Sequence, residues 1–102
     1  IHSLIINPGM LRTDFLDPGS AHIGDIEIED FAEAVAQFKA FIAGANHAQP
    51  GDPVALASRI VALAGLDVPP PRLVFGEDAL LWATGKTDRL KTEIIASAHP
   101  AA

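Results

Sequence analysis

Two kinds of apolar spacing alternate along the 102-residue chain, and they predict different elements. The first kind is a short continuous run such as Leu4, Ile5 and Ile6, in which no polar residue interrupts the apolar ones. Such a run is typical of a strand that is buried on both faces in a parallel sheet. We therefore predict one strand over residues 1–7 and a second short strand over residues 72–75.

The second kind of spacing is helical, with apolar residues three or four positions apart. One such stripe contains Phe31, Val35, Phe38 and Ile42. We expect its helix to begin with Asp30 as the N-cap, to carry Glu33 in a capping-box variant, and to end at Gly44. The stripe itself has two open interpretations, which are ordinary core packing and the wall of an apolar pocket.

Two further helices are predicted nearer the C-terminus. Asp52 followed by Pro53 is a strong helix start, and Gly65 is the expected end of that helix. Its predicted buried face consists of Leu56, Ile60, Leu63 and Ala64. The last helix is expected to follow an acidic cap at position 77 or 78 and to continue to about residue 97. Gly85 weakens it by about 1 kcal/mol relative to alanine and is the expected place for a break or kink.

The order of these elements predicts an α/β fold with two parallel strands and about three helices. Two short strands far apart in sequence are too few for a stable parallel sheet, because such a sheet needs neighbours on its edges. The chain also opens at Ile1, inside an expected strand. We therefore expect it to be a fragment of a larger domain, with residues 1–13, 14–49 and 50–102 as its three successive parts.

Composition narrows the classes of partner. The formal net charge of -6 argues against a surface for nucleic acid or for an anionic membrane, since both require clustered Lys and Arg. The absence of cysteine rules out a disulfide framework and fits a reducing compartment. No apolar run is long enough to span a bilayer, and no signal peptide is recognisable. We therefore expect a cytoplasmic protein without nucleic-acid or membrane partners.

Residues 14–33 are acidic and contain neither Lys nor Arg. The carboxylates are Asp14, Asp17, Asp25, Glu27, Glu29, Asp30 and Glu33. Hard divalent cations take several oxygen ligands, but this spacing does not match an EF-hand, and residues 17–20 form a turn sequence. The four histidines do not fall at ligand spacing either. We expect a solvated loop and no metal site.

The segment LIINPGMLRTDF at residues 4–15 is the candidate for chemistry. Pro8 and Gly9 would end the strand in a sharp bend, and Thr13 places a hydroxyl just beyond it. Ligands of open α/β sheets lie beyond the carboxyl ends of the strands, where this loop would be. Local chemistry alone leaves two interpretations open, a plain structural turn and a ligand-binding loop.

Longer stretches of the chain favour the second interpretation. INPGMLRTDF, a long variable segment, QPGDPVALASRIVALA and PPPRLVFGEDALLWATGKTDRLKTEIIASA follow one another in this order. This order resembles the C-terminal part of the short-chain dehydrogenase/reductase family, especially members with an extended C-terminal region. The resemblance covers nearly the whole chain, and it implies the C-terminal part of a Rossmann-like, doubly wound parallel sheet.

The resemblance also implies a cofactor, NAD or NADP, and residues that would bind it. Pro8 and Gly9 would lie against the nicotinamide ring, and the backbone of Leu11 would bond the carboxamide. Thr13 would hydrogen-bond the carboxamide or a cofactor phosphate. A planar amide needs a donor and an acceptor in fixed register to hold one ring face toward the substrate.

In the family, the segment that follows this loop folds over the active site. The resemblance therefore implies an apolar substrate wall made by Phe15, Leu16, Phe31, Val35 and Phe38. We expect a small, hydrophobic substrate. The identity of the substrate and the direction of the reaction are not encoded in these features.

The chain also departs from the family. The TGxxxGxG loop, the catalytic Ser and the YxxxK motif lie upstream in the family, and this chain has no tyrosine at all. We expect the intact protein to be an oxidoreductase completed by its N-terminal half, and this chain alone to be inactive. The family also implies a homo-oligomer through residues 72–95. The alternative is a non-catalytic interaction module.

Overall fold

The computed structural model describes residues 1–25 and 27–100, which form a mixed α/β arrangement. The strands are β1 (Ile5–Pro8) and β2 (Arg72–Phe75). The helices are α1 (Ala32–Ala45), α2 (Pro53–Ala64) and α3 (Glu77–Ser97), with short 3-10 helices at Asp14–Leu16 and Glu29–Phe31. Within the described residues, the prediction of three helices and two parallel strands is confirmed.

The two strands pair in parallel, with Ile5 opposite Arg72 and Pro8 opposite Phe75. The predicted bounds of β2 are confirmed, whereas the predicted start of β1 at Ile1 was wrong and its predicted end at Asn7 was one residue early. The register carried backwards would set residues 2–4 against residues 69–71, which are all proline. Because proline has no N–H to donate to a ladder, regular pairing begins only at Ile5, whose N–H donates to the Pro71 carbonyl at 3.0 Å.

Helix α1 begins two residues after the predicted cap. A 3-10 helix over Glu29–Phe31 precedes it, and Phe31 occupies the cap position without a side-chain hydrogen bond to the helix. Asp30 was therefore wrong as the N-cap, because it lies inside the 3-10 helix. The helix also continues past Gly44 to Ala45, so that the predicted end was one residue early.

The predicted signals of α2 are confirmed at both ends. The Asp52 carboxylate accepts a hydrogen bond from the Val54 N–H at 2.9 Å, Pro53 is the first helical residue, and Gly65 is the C-cap. Leu56 and Leu63 are buried, Ile60 is half-buried and Ala64 is exposed. The buried face of α2 is thus narrower than predicted.

Helix α3 ends at Ser97 as predicted and runs without a break past Gly85, but it begins at Glu77, one or two residues before the predicted start. Its cap position is Gly76, at a φ of 107°, and no side chain caps the first turn. The prediction of an acidic cap at position 77 or 78 was therefore wrong. Asp78 instead bonds to the loop after β1, as described below.

The described chain is open. Its accessible surface is 8343 Å², whereas a compact monomer of this mass exposes about 5,500 Å². Its radius of gyration is 19.0 Å, against about 13 Å for a compact domain of this length. Core packing of the α1 stripe is not realised here, since Phe31 and Phe38 are each 59% exposed. None of the described helices combines the length and the apolar character needed to cross a membrane.

Candidate functional site

The loop that follows β1 is fastened by three backbone donors. The Gly9 N–H donates to the Phe75 carbonyl at 2.8 Å, and so extends the strand pairing by one residue. The Met10 N–H donates to Asp78 Oδ2 at 2.7 Å. The Arg12 N–H donates to the Gly51 carbonyl at 2.8 Å. The loop is therefore tied both to the end of β2 and to the residues that precede α2.

Leu11 lies between these attachments in a single parallel bridge with Gly51. The bridge uses the Gly51 N–H, which donates to the Met10 carbonyl at 3.0 Å, and the Gly51 carbonyl, which accepts from Arg12. Successive residues of an extended segment direct their backbone polar groups to opposite sides, so the N–H and C=O of Leu11 point away from Gly51. Among the described residues, neither group forms a hydrogen bond.

Gly9 is shaped by a contact within the fold. A Cβ atom at this position would collide with the Asp78 carboxylate, and one at Gly76 would lie 2.6 Å from Asp78 Oδ1. The two glycines therefore make room for the Asp78 carboxylate. The sequence suggested that Gly9 lets a flat ligand approach the backbone closely. In the structure, the Asp78 carboxylate occupies that space.

Thr13 and Arg12 have local partners. Thr13 Oγ1 accepts a hydrogen bond from the Phe15 N–H at 3.3 Å and caps the 3-10 helix at Asp14–Leu16. A threonine hydroxyl keeps its own proton as a donor when its oxygen accepts. Thr13 can thus still donate to a ligand. The Arg12 guanidinium, in contrast, donates to the Gln49 carbonyl at 2.9 Å.

The five residues of the predicted substrate wall are not brought together. Phe31 and Val35 line one cavity of about 370 Å³, which Gly24, Glu27 and Ile28 also line. Phe15, Leu16 and Phe38 do not line it. The Phe15 side chain is 76% exposed beyond the loop.

A polar cluster that the sequence analysis missed joins the two ends of the segment containing α1. Asp17 Oδ1 accepts from Asn46 Nδ2 at 2.7 Å and lies 2.8 Å from His47 Nε2. The hydrogen bond from Asn46, reinforced by His47, lowers the pKa of Asp17 below its ordinary value. We name this cluster of Asp17, Asn46 and His47 the clasp.

The clasp also bears on the metal hypothesis. Asp14, Asp17 and His47 present possible ligand atoms within 4.8 Å of one another, a grouping that sequence spacing could not reveal. The imidazole nitrogen nearest Asp17 is already at hydrogen-bonding distance from that carboxylate. His47 adopts the left-handed φ of 61° at this return of the chain.

Comparison with known proteins adds no family. No family model, no curated protein and no solved structure matches the chain. The resemblance to the dehydrogenases therefore rests on the sequence motifs alone.

Proposed function

We propose that this chain is the substrate-loop and C-terminal part of an NAD(P)-dependent oxidoreductase, together with the loop that would hold the nicotinamide. The parent enzyme would transfer hydride between the nicotinamide and a carbonyl or a secondary alcohol. The fold would then be the C-terminal part of a Rossmann-like, doubly wound parallel sheet. The observation that carries the proposal is the unpaired N–H and C=O of Leu11, in a loop beyond the carboxyl end of a parallel strand.

These two groups complement a primary carboxamide. The carboxamide oxygen would accept from the Leu11 N–H, and its NH₂ group would donate to the Leu11 carbonyl. Because the neighbouring residues are bonded to Gly51 and Asp78, the two groups keep a fixed register. A fixed register would hold one face of the ring toward the substrate. Pro8 would lie against the ring, whereas a ring at Gly9 would have to lie on the side away from the Asp78 carboxylate. The free hydroxyl proton of Thr13 would reach the carboxamide or a phosphate.

The proton chemistry would come from outside these residues. A Ser, a Tyr and a Lys of the N-terminal half of the same enzyme would supply it, since this chain has no tyrosine. The open surface supports such a partner, because β1 and β2 form a sheet of only two strands among the described residues. Each strand thus has an edge on which another strand of a parallel sheet can pair.

The experiment replaces Thr13 by Val in the intact protein. Loss of a hydrogen bond to a charged phosphate or to the carboxamide would raise the cofactor Kd about tenfold, equivalent to about 1.4 kcal/mol. Thr87→Val is the matched control, because the Thr87 hydroxyl donates only to the Ala83 carbonyl within α3. Equal cofactor affinity of the parent and Thr13→Val would contradict the proposal.

A second candidate function is a non-catalytic module that joins subunits through residues 72–95. The favouring observation is the apolar surface of α3, where Leu80, Leu81 and Trp82 are each more than half exposed. Two copies that pair these faces would form a symmetric dimer. Sedimentation of the intact protein should then give a dimer or a larger oligomer that Leu81→Asp dissociates. A monomer at all concentrations would eliminate this candidate.

A further inference from the structure

We infer that a cleft lined by β1, β2 and α3 binds a small aromatic carboxylate. The inference is independent of the proposed function, and we name this feature the α3 cleft. Its volume is about 620 Å³. Its lining includes Asn7, Arg72, Ala79, Trp82, Ala83 and Lys86.

One face of α3 supplies both the open space and the aromatic surface of the α3 cleft. Trp82, Ala83 and Lys86 follow Ala79 by three, four and seven positions, so all four share one face of the helix. The two alanines have short side chains and leave room beside the strands, whereas Trp82 presents its indole. Because the Trp82 side chain is 59% exposed, a flat ligand can pack against its ring.

The charged residues that line the α3 cleft are all cationic. They are Arg72 and Lys86, and no carboxylate lines the cleft. Among the described residues, neither of these two cations forms an ion pair. The positions three and four residues from Lys86, where helical neighbours meet, hold no acidic residue. The two cations therefore lack a counter-charge, and an anionic ligand would supply it.

The polar groups of the α3 cleft are mainly hydrogen-bond donors. The Arg72 guanidinium donates to Asn7 Oδ1 across the two strands and keeps its other N–H groups as donors. Because the Asn7 oxygen accepts this bond, the Asn7 NH₂ group is left to donate. The Lys86 ammonium adds further donors and no acceptor. A carboxylate only accepts hydrogen bonds, so it complements this set, and a planar ring attached to it would lie against Trp82.

The test compares two probes that share one ring system. These are 2-naphthoate, which is an anion at neutral pH, and the neutral 2-naphthalenemethanol. The readout is the indole N–H resonance of Trp82 in the intact protein, assigned by its loss in Trp82→Phe. We expect 2-naphthoate to bind at least about tenfold more tightly than the alcohol, because hydrogen bonds to a charged group are the stronger ones. Added salt should weaken 2-naphthoate binding.

A pair of lysine substitutions locates the anion. Lys86→Gln should weaken 2-naphthoate binding about fivefold and leave the affinity of the alcohol unchanged. Lys91→Gln is the matched control, because it removes the same charge from α3 at a position that does not line the α3 cleft. It should leave the affinity of 2-naphthoate unchanged.

Competition separates the α3 cleft from the proposed cofactor site, since Pro8 lines the cleft and is also the proposed contact of the nicotinamide ring. Saturating NAD or NADP should leave 2-naphthoate bound. The inference is overturned if 2-naphthoate does not shift the Trp82 resonance or binds no more tightly than the alcohol. Equal effects of Lys86→Gln and Lys91→Gln, or displacement of 2-naphthoate by a dinucleotide, would also overturn it.

Discussion

Asp78 is the residue on which the conformation of the loop depends most directly. Its position near the start of α3 suggested a helix cap, but its carboxylate accepts from the Met10 N–H across 68 positions of sequence. The space for it comes from Gly9 and Gly76, where a Cβ atom would collide with the carboxylate. A hydrogen bond between residues so far apart leaves no signal in the neighbouring sequence. An acidic residue that follows a glycine is just as typical of a helix cap.

This contact predicts a contrast between two Gly→Ala substitutions. Gly9→Ala should displace the Asp78 carboxylate and lower the free energy of unfolding by about 1.5–3 kcal/mol, the range for a hydrogen bond to a charged group. Gly85→Ala should raise it by up to about 1 kcal/mol, because Gly85 is helical and a methyl group there meets open space. Urea unfolding of the intact protein measures both changes. Equal effects of the two substitutions would contradict the contact.

At the scale of elements, predictability follows the range of the signals. The ends of α2 and the bounds of β2 were predictable because Asp52, Gly65 and Gly76 act within a few residues of the element they limit. The starts of β1 and α1 were not. The first depends on the prolines opposite it in the register, and the second on a 3-10 helix that takes up Asp30.

The clasp acts at the scale of elements, because it joins Asp17, which precedes α1 in the chain, to Asn46 and His47, which directly follow α1. Asn46 and His47 both favour the ionised form of Asp17, so the folded-state pKa of Asp17 is lowered. The resulting stabilisation is fully present above the ordinary carboxylate pKa and is lost as the pH falls through the lowered value. The window for this loss therefore lies below about pH 4.

Carbon-13 titration of the Asp17 carboxyl in the intact protein measures this effect. Asn46→Ala removes the strongest of the two stabilising partners and should move the Asp17 midpoint upward, toward the ordinary aspartate value. An Asp17 midpoint that is identical in the parent and in Asn46→Ala would show that the clasp does not form in solution.

At the scale of the whole molecule, the sequence predicted the α/β class. It could not predict which backbone groups of the loop after β1 would remain unpaired. The family resemblance implies a role for Leu11, and the bridge that leaves its N–H and C=O unpaired is made with Gly51, forty positions away. Phe31 and Val35 share a cavity while Phe15, Leu16 and Phe38 do not, because helical spacing groups residues only within one element. Under the proposed function, another part of a larger enzyme would cover the exposed apolar surface that remains.

The central claim concerns the two backbone groups of Leu11, and amide resonances report on them directly. The intact protein, labelled with nitrogen-15, is titrated with NAD, NADP and ADP-ribose, which lacks the nicotinamide. The account predicts that NAD or NADP shifts the amide signals of Leu11 and Thr13, and that ADP-ribose leaves the Leu11 signal in place. A Leu11 signal that neither dinucleotide moves, in a protein whose other amides show binding, would contradict it.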